Sequence, residues 1–305
     1  MTGAAAEYPD RPIRFIVPSA AGSAADINAR LLAGELAKLL GQQVVVDNRP
    51  GAAGSIGMEL IARAAPDGYT IGYGTSAALA INRTLLARLP YDPEKDFQMV
   101  ALMGYQPNLL AVAPSLPVKS VQELIVYAKN NPGKLSYGSS GSGTPAHLGM
   151  EMFKHMTGTQ IVHVPYKAAQ QAIAEMIAGQ VHVQFDNFGS IVPHVKGGRI
   201  RGLGVTSRKR SPALPELPTL DEAGVPGFEL TAWGGVVVPA GVSKTTITKL
   251  NAQINSALAA PSLKEKVSLF GYEVAGGTSE HFAEHVRKEA VKWAIVIKRA
   301  GVKID

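Results

Sequence analysis

The hydrophobic pattern of the chain alternates between two periods. Ile13 to Val17 is a short run rich in β-branched residues and Phe, which predicts a buried strand. Leu32, Leu36, Leu39 and Leu40 then recur at helical spacing, which predicts a helix starting near Ser23. Gln43 to Val46 reads as a second strand, Ala52 to Ala64 as a helix opened by a glycine-rich turn, and Tyr69 to Tyr73 as a third strand. A second series follows. Val121, Leu124, Ile125 and Ala128 mark a helix, and Leu135 to Tyr137 a strand. Leu148, Met152 and Met156 share one side of the next helix and are expected in the core. Ile161 to Val164, Val181 to Phe185 and Ile200 to Val205 read as strands, with a helix over Ala169 to Ala178. Asn108 to Pro114 and Gly234 to Pro239 are apolar extended runs that end in Pro. The last third is mostly helical. Ile247, Leu250, Ile254 and Leu258 form one stripe, and Phe282, Val286, Ala290, Trp293 and Ile297 another. Strands alternating with helices predict an α/β chain with mainly parallel sheets, whose ligands bind beyond the carboxyl ends of the strands.

Two turns in this pattern carry candidate chemistry. Ser19-Ala20-Ala21-Gly22-Ser23-Ala24-Ala25-Asp26 joins the first strand to the first helix. Small residues let a ligand or another backbone come close. The first N–H groups of a helix lack partners, and the dipole makes that end positive. The stretch is therefore either an ordinary tight turn or an anion site. Gly138 to Pro145 repeats the device, and Pro145 suits the first helical position, so Gly143 and Thr144 would present N–H groups outward. Thr75 and Ser76 place hydroxyls at the end of the third strand. Asp26 reads as a dipole-matched cap, and His147 as a packing or hydrogen-bonding residue. Asp186, with Asn187, ends a buried strand and either meets a ligand or caps a turn.

Composition narrows the classes. At 305 residues two lobes are expected, and 46% hydrophobic with 18% charged residues is a globular composition. The net charge of +6 suits an anionic ligand, but the basic residues are scattered. Arg208-Lys209-Arg210 reads as a solvated loop, so nucleic acid is not an expected partner. There is no cysteine, hence no disulfide or thiolate site. No apolar run approaches the ~20 residues of a membrane span. Met1 to Pro9 has no basic or apolar leader region and looks like a mature start behind a residual Met, though a cytosolic chain would look the same.

Three enzyme motifs are incomplete. Gly141-x-Gly143-x-x-Ala146 fits a dinucleotide fingerprint, but the ribose-binding acid is missing from Ile161 to Tyr166. Gly138, Ser140 and Ser142 suggest a hydrolase elbow without its closing Gly. His281-Phe282-Ala283-Glu284-His285 matches an inverted zinc-protease motif, but a third ligand is lacking. His281, His285, Lys288 and Lys292 read instead as a solvated face opposite Phe282 and Trp293. An NAD-dependent oxidoreductase and a serine hydrolase remain the rival readings, and neither a cofactor nor a metal is expected.

Several ordered blocks resemble one family. They are Val17-Pro18 with Gly22 and Asp26, Val46 to Ala52, Pro66-Asp67-Gly68-Tyr69-Thr70, and Leu89-Pro90-Tyr91-Asp92-Pro93. Val164-Pro165-Tyr166-Lys167, Pro218 to Gly224 and Trp233-Gly234 continue the series. The chain resembles the Bug family, the TctC-like extracytoplasmic solute receptors of tripartite tricarboxylate transporters. The resemblance implies a two-lobe periplasmic binding protein of type II plan, with two crossing strands and a ligand in the cleft. It implies no enzyme activity. One lobe would comprise residues 1–108 and 236–305, the other 109–235. The ligand would be a small organic acid anion held on main-chain amides. Walls are expected from Ala21, Gly22, Ser23, Asp26, Thr75 and Ser76 on one side. Ser139, Gly143, Thr144, Ala146, His147, Tyr166, Lys167, Asp186 and Asn187 are expected on the other. The implied partners are the membrane subunits of such a transporter, with the receptor itself a monomer that does not insert in the membrane. A sensor's ligand-presenting partner is the alternative role. Two departures from the family pattern, Ser23 for a second Gly and Ala168 to Gln171 for Gly and Pro, point to an aromatic or longer-chain acid ahead of a plain C4-dicarboxylate.

Overall fold

The computed structural model describes residues 8–268 and 271–301. The first αβ series is β1 (Ile13–Val17), α1 (Ala24–Leu40), β2 (Val44–Asn48), α2 (Ser55–Ala62) and β3 (Thr70–Thr75). A 3₁₀ turn at Ala52–Gly54 precedes α2, and a π turn at Ala77–Ile81 leads into α3 (Asn82–Leu85). β1 lies parallel between β2 and β3. Its core side chains are fully buried under Leu32 and Leu36 of α1, which is why a run of Ile, Phe and Val suffices to specify it.

The chain then enters β4 (Phe97–Val112), which serves both lobes. The second series is α4 (Val121–Asn130), β5 (Leu135–Ser139), α5 (Pro145–Thr157), β6 (Ile161–Pro165), α6 (Ala169–Ile177), β7 (Val183–Asn187), α7 (Phe188–Lys196) and β8 (Arg201–Val205). β9 (Thr231–Pro239) returns to the first lobe, followed by α8 (Lys244–Ala259), α9 (Pro261–Ser268), β10 (Glu273–Val274) and α10 (Ser279–Ala300). The strand path is β2-β1-β3-β9-β4-β7-β5-β6, with β8 and β10 also on β4. The outer strands are parallel, while the shared centre is antiparallel.

Phe97 to Pro107 of β4 pair with β9, and Asn108 to Val112 pair with β7 and β8. β4 therefore changes partners at Pro107–Asn108, and β9 begins just after Leu230. Residues 231–235, grouped by sequence with the second lobe, pair along β4 in the first sheet. Thr206 pins the crossing. Its hydroxyl accepts from Asn108 N–H at 2.7 Å, donates to Asn108 O at 2.9 Å and reaches the carbonyl of Leu230.

α10 closes the back of the molecule. Phe282, Val286, Trp293 and Ile297 are buried in a cluster that contains residues of both lobes. Each such side chain contributes on the order of 1.5–3 kcal/mol. The helix packs on β4 and also on α5, so it spans the lobes rather than belonging to one. Met156, expected in the core, is 40% exposed where α5 faces α10, and Met150 is buried in its place. Arg208 and Arg210 pair with Glu229 and Glu222 on the surface.

Candidate functional site

Several helix starts converge on one cavity of about 640 Å³ between the lobes. Ser23 caps α1, and Ala24 and Ala25 form its first turn on the wall. Ala53 and Gly54 precede α2, and Thr75, Ser76 and Ala77 open the π turn. From the second lobe come Ser140, Pro145 at the start of α5, and Asn187 at the start of α7. Gln106, Ala232 and Trp233 of the crossing strands complete it. Among the described residues none that lines the cavity is charged. The first-turn N–H groups of a helix lack intrahelical partners and carry the positive end of the dipole. An anion here would meet main-chain donors, hydroxyls and amides instead of a cation.

The first turn owes its shape to Asp26. Gly22, at φ +79°, donates its N–H to Asp26 Oδ2 at 2.8 Å. Asn48 Nδ2 and Arg30 Nε each donate to Oδ1 at 2.9 Å. Burial pushes this carboxyl up, but the bonds from Arg30, Gly22 and Asn48 outweigh it and hold the carboxyl below the usual range. Asp26 thus stands behind the turn as its brace, and Ala21 and Gly22 are exposed without lining the cavity.

The second turn is braced by stacked rings. Gly143, at φ +78°, donates its N–H to His147 Nδ1 at 2.8 Å. His147 stacks on His163 at 4.0 Å and 7°, and His163 stacks on Tyr137 at 4.7 Å. Ser139 Oγ lies 2.7 Å from His163 Nε2 and also donates to Gly141 O. Burial lowers both imidazoles, His163 to about 4 with His147 adding repulsion. Ser139 is fully buried, so this Ser–His pair cannot meet a substrate as a nucleophile would have to. Thr144 caps α5 through His147 N–H and donates to Gly141 O.

Of the residues singled out from sequence, Ser23, Thr75, Ser76 and Asn187 line the cavity. Ser139, Gly143, Thr144, Ala146 and His147 lie in and beside the second turn and are not on the cavity wall. Tyr166 N–H donates to Ser139 O at the end of β6, and Lys167 is exposed. Asp186 is buried, and burial pushes its carboxyl up to about 6 against the bonds from Asn187 N–H and Gln184. Ala168 and Gln171 are exposed at the start of α6 and do not line this cavity. Asn28, Tyr73, Gln106, Trp233 and Tyr272 line it and were not singled out. Trp233 stood in the sequence as a family mark only, although an indole beside two glycines was a usable signal.

His285 is not on a solvated face. Its ring meets Trp233 at 4.8 Å and Tyr105 at 5.5 Å, and its Nε2 is buried without a partner. The buried arc of α10 is wider than its apolar stripe, because Glu289 also turns inward. Among the described residues no group of three or more His, Cys, Asp or Glu side chains is placed to hold a metal.

The arrangement is that of a two-lobed solute-binding protein. The family model described as the tripartite tricarboxylate transporter family receptor matches residues 28–302, and the chain belongs to that family. A relative from Pseudomonas sp. (strain P51), the UPF0065 protein in the tcbD-tcbE intergenic region, is 39% identical over 95% of this chain and 86% of its own. An R. palustris protein solved with adipate is 40% identical, with TM-score 0.87 over 97% of this chain and 99% of its own. MatC from Rhodopseudomonas palustris, solved with bound malate, is 30% identical, with TM-score 0.81 over 95% of this chain and all of its own. The family's members are periplasmic receptors of small carboxylates that serve transporters, and they are not enzymes. No described helix is long and apolar enough to cross a membrane.

Proposed function

We propose that this protein is a periplasmic receptor for a straight-chain dicarboxylate of adipate's class, which it delivers as a monomer to the membrane subunits of a tripartite transporter. The observation that carries the reading is a cavity with helix starts from both αβ series and, among the described residues, no charged side chain on its wall. One carboxylate would sit on the starts of α1, α2 and the π turn, the other on those of α5 and α7. The methylene chain between them would lie against Trp233. The cavity volume of about 640 Å³ is in the range of small-ligand sites. The likeness to the adipate-bound protein, greater than that to MatC, supports a longer acid over a C4 one. The lobes would close about Pro107–Asn108 and Leu230–Thr231, where Thr206 joins the strands.

Thermal shift across a carboxylate panel tests this. A ligand at a hundred times its Kd stabilises the folded state by about 2.7 kcal/mol, so adipate should raise the melting temperature clearly, malate less and benzoate not at all. A panel in which no dicarboxylate moves the transition would remove the proposal. Scattering should give a monomer mass, and a smaller radius of gyration with adipate.

A further inference from the structure

Both tryptophans of this chain share one acceptor. Trp233 on β9 and Trp293 on α10 each donate the indole Nε1–H to Glu289 Oε2 at 3.1 Å. The other carboxylate oxygen takes Lys292 Nζ at 2.5 Å. Glu289 is only 9% exposed. A carboxylate at that depth is costly unless its lone pairs are filled, and here three donors fill them. Glu289 does not line the cavity, but Trp233 does. Phe282 and His285 of the same helix stand edge-on to the Trp233 ring at 6.0 and 4.8 Å. Trp233 is therefore where the ligand cavity touches α10, and Glu289 fixes its one polar atom.

We propose that Glu289 is a positioning residue for the cavity, holding the Trp233 indole as the flat apolar wall along which the ligand's carbon chain lies. The inference rests on the reading of the cleft as a carboxylate site. Without an acceptor the indole N–H would be buried and unpaired, and the ring would turn to recover a partner. Among the described residues no cation lines the cavity, so acids of equal charge are told apart by the fit of their carbon chains to this wall. A misplaced apolar wall changes discrimination by about ten- to two-hundredfold per methylene at most. Glu289 should thus act on chain-length selectivity more than on the grip of the carboxylates.

The test compares Glu289→Gln, which keeps an oxygen acceptor, with Glu289→Leu, which removes it. Both are made in a Trp293→Phe background, so that Trp233 is the sole indole. Calorimetry with adipate and with succinate, and emission from Trp233, are read against the Trp293→Phe parent. Glu289→Leu should lose about tenfold in adipate affinity and under about threefold for succinate, with a shifted Trp233 emission. Glu289→Gln should stay within about twofold of the parent in the adipate-to-succinate ratio. Glu289→Asp, which withdraws the carboxylate by one methylene, takes the place of Leu if that variant does not fold. A carboxylate that only stabilises the fold would lower the melting temperature and leave both the ratio and the emission of the folded protein unchanged. That result overturns the proposal. If the parent binds neither acid, the reading of the cleft fails first, and equal emission from the Gln and Leu variants then overturns the tether as well.

Discussion

In the first lobe Gly22 donates its N–H to a carboxylate four residues on, and in the second lobe Gly143 donates its N–H to an imidazole four residues on. The two glycines share φ near +79° and +78°, where a side chain would be strained, and each precedes an N-capping hydroxyl, Ser23 or Thr144. The geometry repeats, but the acceptor does not. Asp26 works only when ionised, and Arg30 and Asn48 keep it so. His147 Nδ1 works only when unprotonated, and its burial against His163 keeps it so. One turn is fixed by a paired charge and the other by neutral stacked rings. The same helix start can therefore be presented to a ligand while the two lobes respond differently to acid.

The largest expected effect separates the two braces directly. Asp26→Ala removes the acceptor of the Gly22 N–H, one of the two acceptors of the Asn48 amide and the ion pair of Arg30, and should cost about 2–3 kcal/mol of stability in denaturant melts. His147→Ala removes one side-chain hydrogen bond and the ring contacts with His163 and Tyr137, and should cost about 1–2 kcal/mol. Equal losses would erase the distinction between a charged and a neutral brace.

Acid sharpens the comparison at smaller magnitude. His163 titrates near 4 in the fold against an ordinary 6.5, so the unfolded chain takes the proton first. The stability owed to the neutral ring is complete above pH 6.5, is lost as pH falls toward 4, and falls no further below that. The ring is half-buried, so after solvent screening the effect is on the order of 1 kcal/mol. Asp26 is held below its ordinary 3.8, so its contribution begins to fall only under that pH. Between pH 7 and 4 Asp186, raised to about 6, adds stability alike in the wild type and in His163→Gln, so the wild type should lose melting temperature relative to that variant as pH falls. Matching slopes would mean that the imidazole stack is not the group being titrated.

The smallest effect belongs to Ser23→Gly, which removes the capping hydroxyl. Replacing an N-cap Ser by Gly costs only a few tenths of a kcal/mol. Because Ser23 lines the cavity, its adipate affinity should change more than its stability, as calorimetry beside a denaturant melt would show.

The αβ alternation was legible because β1, β3 and β5 are short buried runs and α1 and α8 carry regular stripes. β4 was read only from Asn108 onward. Gly104, Gln106 and Pro107 break its apolar pattern where it leaves one lobe for the other, and pairing with β9 holds it extended. α7 contains Pro193 and two other weak helix formers, Gly189 and Ser190, so tertiary packing of Phe188 and Ile191 makes that helix, not propensity. At the site, Ser23, Thr75, Ser76 and Asn187 were legible because they end strands or begin helices. Gln106, Trp233 and Tyr272 come from the crossing strands and the segment before β10, and only the folded topology brings them to the cleft. Asp26 and His147 were visible as chemistry-bearing residues, but a sequence does not say whether such a group faces the ligand or the turn that holds it.

The neutral cleft has a kinetic consequence. The chain carries a net charge of +6, yet among the described residues no charged side chain lies on the cavity wall. A field from outlying cations draws a dianion in from a distance and fades within a Debye length of ~8–10 Å in salt. Dipolar donors at contact are scarcely screened. Under the proposed function, ionic strength should therefore govern how fast an acid arrives, while how long it stays is set by those donors. On that reading the departing acid leaves no bare cation among the described residues of the wall, so the vacated cleft needs no counter-ion and can stand open in water until the next encounter.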